Sequence, residues 1–140
     1  MYQLRGKLSI VMPAYNEEAL IYNSIMQTLS IVEQFAPDME IIAVNDGSKD
    51  KTKQEIERAI RDDAKQPHPV VPGMRVSGTR IKLVTSNKNR GKGNAIISGI
   101  SQAEGDYIAF VDADLELNPA QLEGYLKKMQ ESGCDVVIGC

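Results

Sequence analysis

The chain is short of cysteine, of histidine and of concentrated positive charge, and each shortage removes a class of function. Among its 140 residues there are two cysteines and one histidine. Cys134 and Cys140 show neither metal-ligand nor redox spacing, so they read as plain thiols of a cytosolic protein. His68 stands between Pro67 and Pro69 with no orienting partner nearby in sequence, which argues against a catalytic imidazole. Sixteen Lys and Arg against nineteen Asp and Glu leave a net charge of −3. A nucleic-acid binder needs a concentrated basic face, and the cluster from Lys88 to Lys92 is short and interrupted by Gly and Asn. No stretch approaches the roughly 20 apolar residues of a membrane span. Met1 to Lys7 lead into a strand rather than a hydrophobic leader. Internal repeats and low-complexity tracts are also lacking. The expected location is cytoplasmic, with any attachment to the cytoplasmic face of a membrane left to segments beyond residue 140.

What is present is an ordinary globular composition, 42% hydrophobic and 25% charged, long enough for one domain over 1–140 with a real core. Apolar runs at Leu8–Met12, Glu40–Val44, Ile81–Thr85, Tyr107–Val111 and Val136–Ile138 read as strands, the first stopped by Pro13. Helical spacing places helices at Glu17–Gln34 (Leu20, Ile21, Ile25, Leu29, Val32), Thr52–Ala64 (Ile56, Ala59, Ile60) and Asn94–Ala103 (Ile96, Ile97, Ile100). A fourth helix begins at Pro119 and carries Leu122, Leu126 and Met129. Residues 65–79, rich in Pro and Gly, read as a surface loop of unusual length. Strands alternating with helices imply an α/β fold with a mostly parallel sheet covered on both faces.

On that frame the unusual residues collect at one edge. Pro13-Ala14-Tyr15-Asn16-Glu17, Asn45-Asp46-Gly47-Ser48, Asn87 to Gly93 and Asp112-Ala113-Asp114 each follow a strand, and open parallel sheets bind ligands at that edge. The opposite edge, at Ala36–Met39 and Glu104–Asp106, reads as chemically plainer. In an extended chain Asp112 and Asp114 would point to one side and converge on a hard cation that could grip a diphosphate; the plain alternative is a loop whose aspartates cap the next helix. The loop after the third strand is neither a Walker A sequence nor a dinucleotide fingerprint. Gly91 and Gly93 nevertheless allow close backbone approach, and Lys92 adds charge at a helix start, set against the alternative of a merely solvated lysine. Glu17 and Asp46 would repel a phosphate, but carboxylates can accept hydrogen bonds from a base or ribose.

In this order and spacing the motifs resemble glycosyltransferase family 2, inverting enzymes of the Rossmann-like, three-layer GT-A fold, and most of all its polyprenyl-phosphate (dolichol-phosphate-like) hexosyltransferases. The likeness rests on Val11 to Glu17, Val44 to Asp50, Asn89 to Ala95 and Gly105 to Leu115. It implies that Pro13, Tyr15 and Glu17 line a nucleotide pocket and that Val44 and Asp46 hold the base. It further implies that Lys92 is the lysine of the Gly-Lys-Gly turn and that Ala113 and Glu116 lie near the donor. Asp112 and Asp114 would act through a divalent metal, Mg²⁺ or Mn²⁺. Asn45 replaces the first acid of the usual Asp-Asp-Gly-Ser pattern. The implied donor is a UDP- or GDP-hexose and the implied acceptor a lipid phosphate or glycan; neither oligomeric state nor a catalytic base is readable. The resemblance also implies a longer enzyme, of which this would be the donor-binding part, inactive alone. A sugar-nucleotide pyrophosphorylase is disfavoured by the absence of a glycine-rich, arginine-containing loop after the first strand. A non-catalytic nucleotide-sugar-binding module remains the alternative from another class.

Overall fold

The computed structural model describes residues 2–68 and 78–137. Four strands, β1 (Leu8–Ala14), β2 (Met39–Asp46), β3 (Ile81–Ser86) and β4 (Tyr107–Phe110), alternate with α1 (Ile21–Val32), α2 (Thr52–Ala64), α3 (Lys92–Gln102) and α4 (Gln121–Ser132). The sheet is parallel throughout, in the order β3-β2-β1-β4. All four carboxyl ends therefore share one edge, and the order reverses at β1, which lies between β2 and β4. This reversal is where an open α/β sheet leaves a crevice.

Strand alternation divides the core into two layers. Leu8, Ile10 and Met12 of β1 and Ile41 and Ala43 of β2 pack under α1, α2 and α4. Val11, Ile42 and Val44 face the other way and pack against Ala95 of α3. Helix α3 lies on the sheet by its small residues: a Cβ on Gly99 would overlap Val11 Cγ1 and come within 3.2 Å of Val44 Cγ2. The expected apolar face of α3 is therefore corrected. Ala95 and Gly99 are buried, while Ile97 and Ile100 are exposed. Close approach of the backbone, rather than large side chains, seats this helix.

Other boundaries shift for physical reasons. Pro13 does not end β1, which runs on to Ala14 paired with β2. Val11 O accepts from Val111 N, the last bond towards β4. By alternation the missing N–H of Pro13 falls on that same side, beyond the ladder, where it breaks nothing. Helix α1 starts at Ile21, leaving Leu20 exposed. The expected fifth strand is not formed at Val136 and Val137, and Ile138 lies outside the described residues, as does most of the 65–79 loop.

The amino edge is richer in charge than the sequence suggests. Buried Glu40 accepts from Ser9 Oγ (2.6 Å) and from the Glu104 amide (2.8 Å), and pairs with Lys82 (2.9 Å). Fully buried Asp63 binds the Arg80 guanidinium at 2.7 Å, and Arg80 also reaches Glu33. These charges satisfy one another and close the loops that cross this edge.

Candidate functional site

At the carboxyl edge the charges instead face an open cleft of about 290 Å³. It is lined by Pro13 and Ala14 at the end of β1, by Tyr15 and Glu17 after it, by Asp46 at the end of β2, by Asn89, Gly91, Lys92 and Ala95 around the start of α3, and by Asp112 after β4. Three carboxylates thus share the lining with one ammonium. That balance would repel a diphosphate unless a cation came with it.

Side chains latch the two loops on the β1 and β2 side together. Asn16, at φ +52°, donates its N–H to Ser48 Oγ, and its side-chain oxygen accepts from the Lys49 amide, both at 2.9 Å. The Glu17 amide donates to Thr52 Oγ1 (2.8 Å) and the Glu18 amide to Asp50 (3.2 Å). Glu18 in turn accepts from the Lys51 amide (3.1 Å). These caps hold residues 17–20 in a turn and delay the start of α1. Burial pushes the Asp50 carboxyl up, but hydrogen bonds from the Thr52 hydroxyl, the Thr52 amide and the Glu18 amide outweigh it and hold it below the usual carboxylate value.

Asp46 fixes the third loop. It is 4% exposed, and its two oxygens accept the amides of Arg90 and Gly91, both at 3.0 Å. Gly47, at φ +70°, lies so close to this loop that a Cβ would overlap the backbone of Lys88 and Asn89. Gly91, at φ +94°, then turns the chain into α3. The 11-residue helix thereby starts at the cleft, with Gly91 and Lys92 in its lining, and a helix N-terminus is a favourable setting for an anion. From the first position of α3, Lys92 Nζ reaches Asp112 Oδ1 at 2.7 Å.

The model of glycosyl transferase family 2 matches residues 9–140. The chain belongs to that family. Among its family 2 relatives, the undecaprenyl-phosphate 4-deoxy-4-formamido-L-arabinose transferase of Enterobacter sp. (strain 638) is 35% identical, over 94% of this chain and 36% of its own length. The protein of the same name from Photorhabdus laumondii is 36% identical over the same shares. The chain therefore spans about a third of the length of these relatives. The fold matches that of a mannosyltransferase, PcManGT from Pyrobaculum calidifontis, in complex with GDP-Man and Mn²⁺. That likeness has a TM-score of 0.70 at 23% identity, over 90% of this chain and 33% of that one. S. aureus TarS 1-349 in complex with UDP-GlcNAc matches with a TM-score of 0.65 at 25% identity, over 92% and 32%. The fold is GT-A-like.

Of the residues nominated from the family 2 motifs, Pro13, Tyr15, Glu17, Asp46, Lys92 and Asp112 come together on the cleft. Val44 lies beneath it, fully buried under α3. Ala113 is buried in the other layer, its carbonyl accepting from Ser24 Oγ of α1. Asp114 and Glu116 are exposed and outside the lining, with Asp114 Oδ1 accepting the Glu116 amide at 3.1 Å. The chain turns here, with the Leu115 amide on Asp112 O (3.0 Å) and Leu115 at φ +53°. Strand alternation therefore does not align the two aspartates, and the extended-chain argument is corrected on that point. Ala14, Asn89 and Ala95 were not singled out. Ala95 had a signal, a small residue on the first turn of an isoleucine-rich helix.

Among the described residues no group of three or more His, Cys, Asp or Glu is placed to hold a metal alone. The donor set still fits Mg²⁺ or Mn²⁺. Such an ion takes one or two carboxylates and completes its shell with water and substrate phosphates. Asp112 already gathers a cationic group at 2.7 Å. Among the described residues no helix is long and apolar enough to cross a membrane.

Proposed function

We propose that this chain is the nucleotide-sugar-binding part, over 1–140, of an inverting glycosyltransferase that moves a hexose from a UDP- or GDP-sugar to a polyprenyl phosphate. The observation that carries the reading is the cleft at the sheet's reversal point, lined by Pro13, Tyr15, Glu17, Asp46, Lys92 and Asp112. The relatives named for transfer to undecaprenyl phosphate support the acceptor class. The neighbours bound to GDP-Man with Mn²⁺ and to UDP-GlcNAc support the donor class.

In this reading Tyr15 and Pro13 give the base an apolar wall, and Glu17 and Asp46 offer acceptors at its end of the cleft. Lys92 and the first-turn amides of α3 orient the diphosphate. Asp112 and Asp114 would hold Mg²⁺ or Mn²⁺, which when bound neutralises charge on the leaving diphosphate. A phosphate acceptor is already anionic at neutral pH and reacts without a general base.

Titration calorimetry with UDP and GDP, with and without Mn²⁺, tests the reading. Binding should require the metal, and Asp114→Asn should weaken that metal-supported binding at an unchanged melting temperature, because Asn loses the charge that favours the cation but keeps the acceptor for the Glu116 amide. Equal affinity after chelation would eliminate the metal role.

A further inference from the structure

The Lys92–Asp112 pair carries a consequence for how the cleft fills. Lys92 and Asp112 keep 62% and 48% of their side-chain surface exposed. A pair this wet stabilises a fold little, so it is a poor brace and an easily exchanged contact. Its place is nonetheless specific. The ammonium comes from the start of α3 and crosses to the carboxylate after β4, so it lies on the one residue of the Asp112-Ala113-Asp114 turn that lines the cleft. The Asp46 carboxylate, by contrast, has both oxygens on loop amides.

A divalent ion arriving alone at Asp112 must therefore displace an ammonium or lie against it, and like charges at that range repel. A nucleoside diphosphate changes the balance, because it offers Lys92 an anionic partner a short swing away, beside the α3 amides. One carboxylate–ammonium contact is then exchanged for a carboxylate–metal contact and an ammonium–phosphate contact. We propose that Lys92 is a resident counter-cation, held on Asp112 until a diphosphate draws it off, so that divalent metal and nucleoside diphosphate enter the cleft as a coupled pair. This rests on the reading of Asp112 as a metal ligand. By linkage the coupling is reciprocal: the diphosphate raises metal affinity by the factor by which metal raises diphosphate affinity.

The test is Mn²⁺ binding followed by electron paramagnetic resonance, first with the metal alone and then with saturating UDP or GDP. Lys92→Met and Lys92→Gln are compared with Lys92→Arg, all checked for a parental melting temperature. Loss of the ammonium should tighten binding of Mn²⁺ alone about 2- to 5-fold, as release of an exposed ion pair allows. It should also cut the metal–diphosphate coupling, which in the parent should lie at about 5- to 150-fold. Lys92→Arg should stay near the parent. If Mn²⁺ binds the parent but Lys92→Met binds it no more tightly, or keeps the full coupling, the counter-cation role is overturned. If the parent takes up no Mn²⁺ even with UDP or GDP, the metal reading of the site falls, and this proposal with it.

Discussion

Asp46 shows how much of the cleft depends on single side chains. Its carboxylate accepts two backbone amides, from Arg90 and Gly91, in a nearly water-free setting. Asp46→Asn would turn an amide NH₂ towards one of those N–H groups, setting donor against donor. Each hydrogen bond to a charged group contributes about 1.5–3 kcal/mol, so the variant should lose about one such bond in thermal or urea unfolding. Loosening the Gly91 turn should also weaken UDP and GDP binding. Free uridine or guanosine separates two roles: a loss there marks contact with the base, and a loss confined to the diphosphates marks positioning of Lys92. Parental stability and affinity together would show that neither contact matters. The acids, glycines and lysine of the cleft were legible because residue type after a parallel strand is itself a signal. The hydrogen bonds were not, since Asp46 and Gly91 are brought together only by the β2–β3 pairing and the helix that follows.

At the scale of elements, α3 carries the sharpest sign test. In an exposed helix interior, Gly→Ala stabilises by about 0.5–1 kcal/mol. At Gly99 the added methyl would overlap Val11 Cγ1 and crowd Val44 Cγ2, so Gly99→Ala should destabilise by about 1–3 kcal/mol, the cost of overpacking. Denaturant unfolding decides it, and a stabilised variant would refute the close packing of α3. Gly124 of α4 has open space where its Cβ would go, and Gly124→Ala should show the ordinary stabilising sign. The same close packing explains what periodicity misread. Three isoleucines at helical spacing suggested the buried face of α3, yet small residues let the backbone in and turned Ile97 outward. By contrast α2, Thr52–Ala64, was readable to its ends, because a clean amphipathic stripe runs between a buried threonine and a polar stop. The late start of α1 was hidden because its cause, Thr52 and Asp50 capping the Glu17 and Glu18 amides, lies 32–35 residues away.

For the whole molecule, the two sheet edges differ in what their acids do, and pH separates them. Burial pushes the Asp63 carboxyl up, but hydrogen bonds from the Arg80 side chain and backbone, together with the charges of Arg80 and His68, outweigh it and hold it below the usual value. Burial likewise opposes Glu40, and the Ser9 hydroxyl, the Glu104 amide and Lys82 bring it down. A carboxyl with a lower value folded than unfolded binds more protons unfolded, so stability rises with pH across that range. Its contribution is complete above the unfolded values, about 3.9 for Asp and 4.3 for Glu, and is lost as pH falls through the lower folded ones. The melting temperature should therefore be nearly flat from pH 6 to 8, begin to fall near pH 5 and drop steeply below pH 4. Asp63→Asn should cost about 3 kcal/mol at neutral pH, the low end for breaking a buried pair because Glu33 still holds Arg80. It should also flatten the acid slope, since the titrating group is gone. Melts of parent and variant from pH 3 to 7 test both points. An Asp63→Asn protein that loses stability at neutral pH yet keeps the parental acid slope would show that the acid sensitivity arises elsewhere.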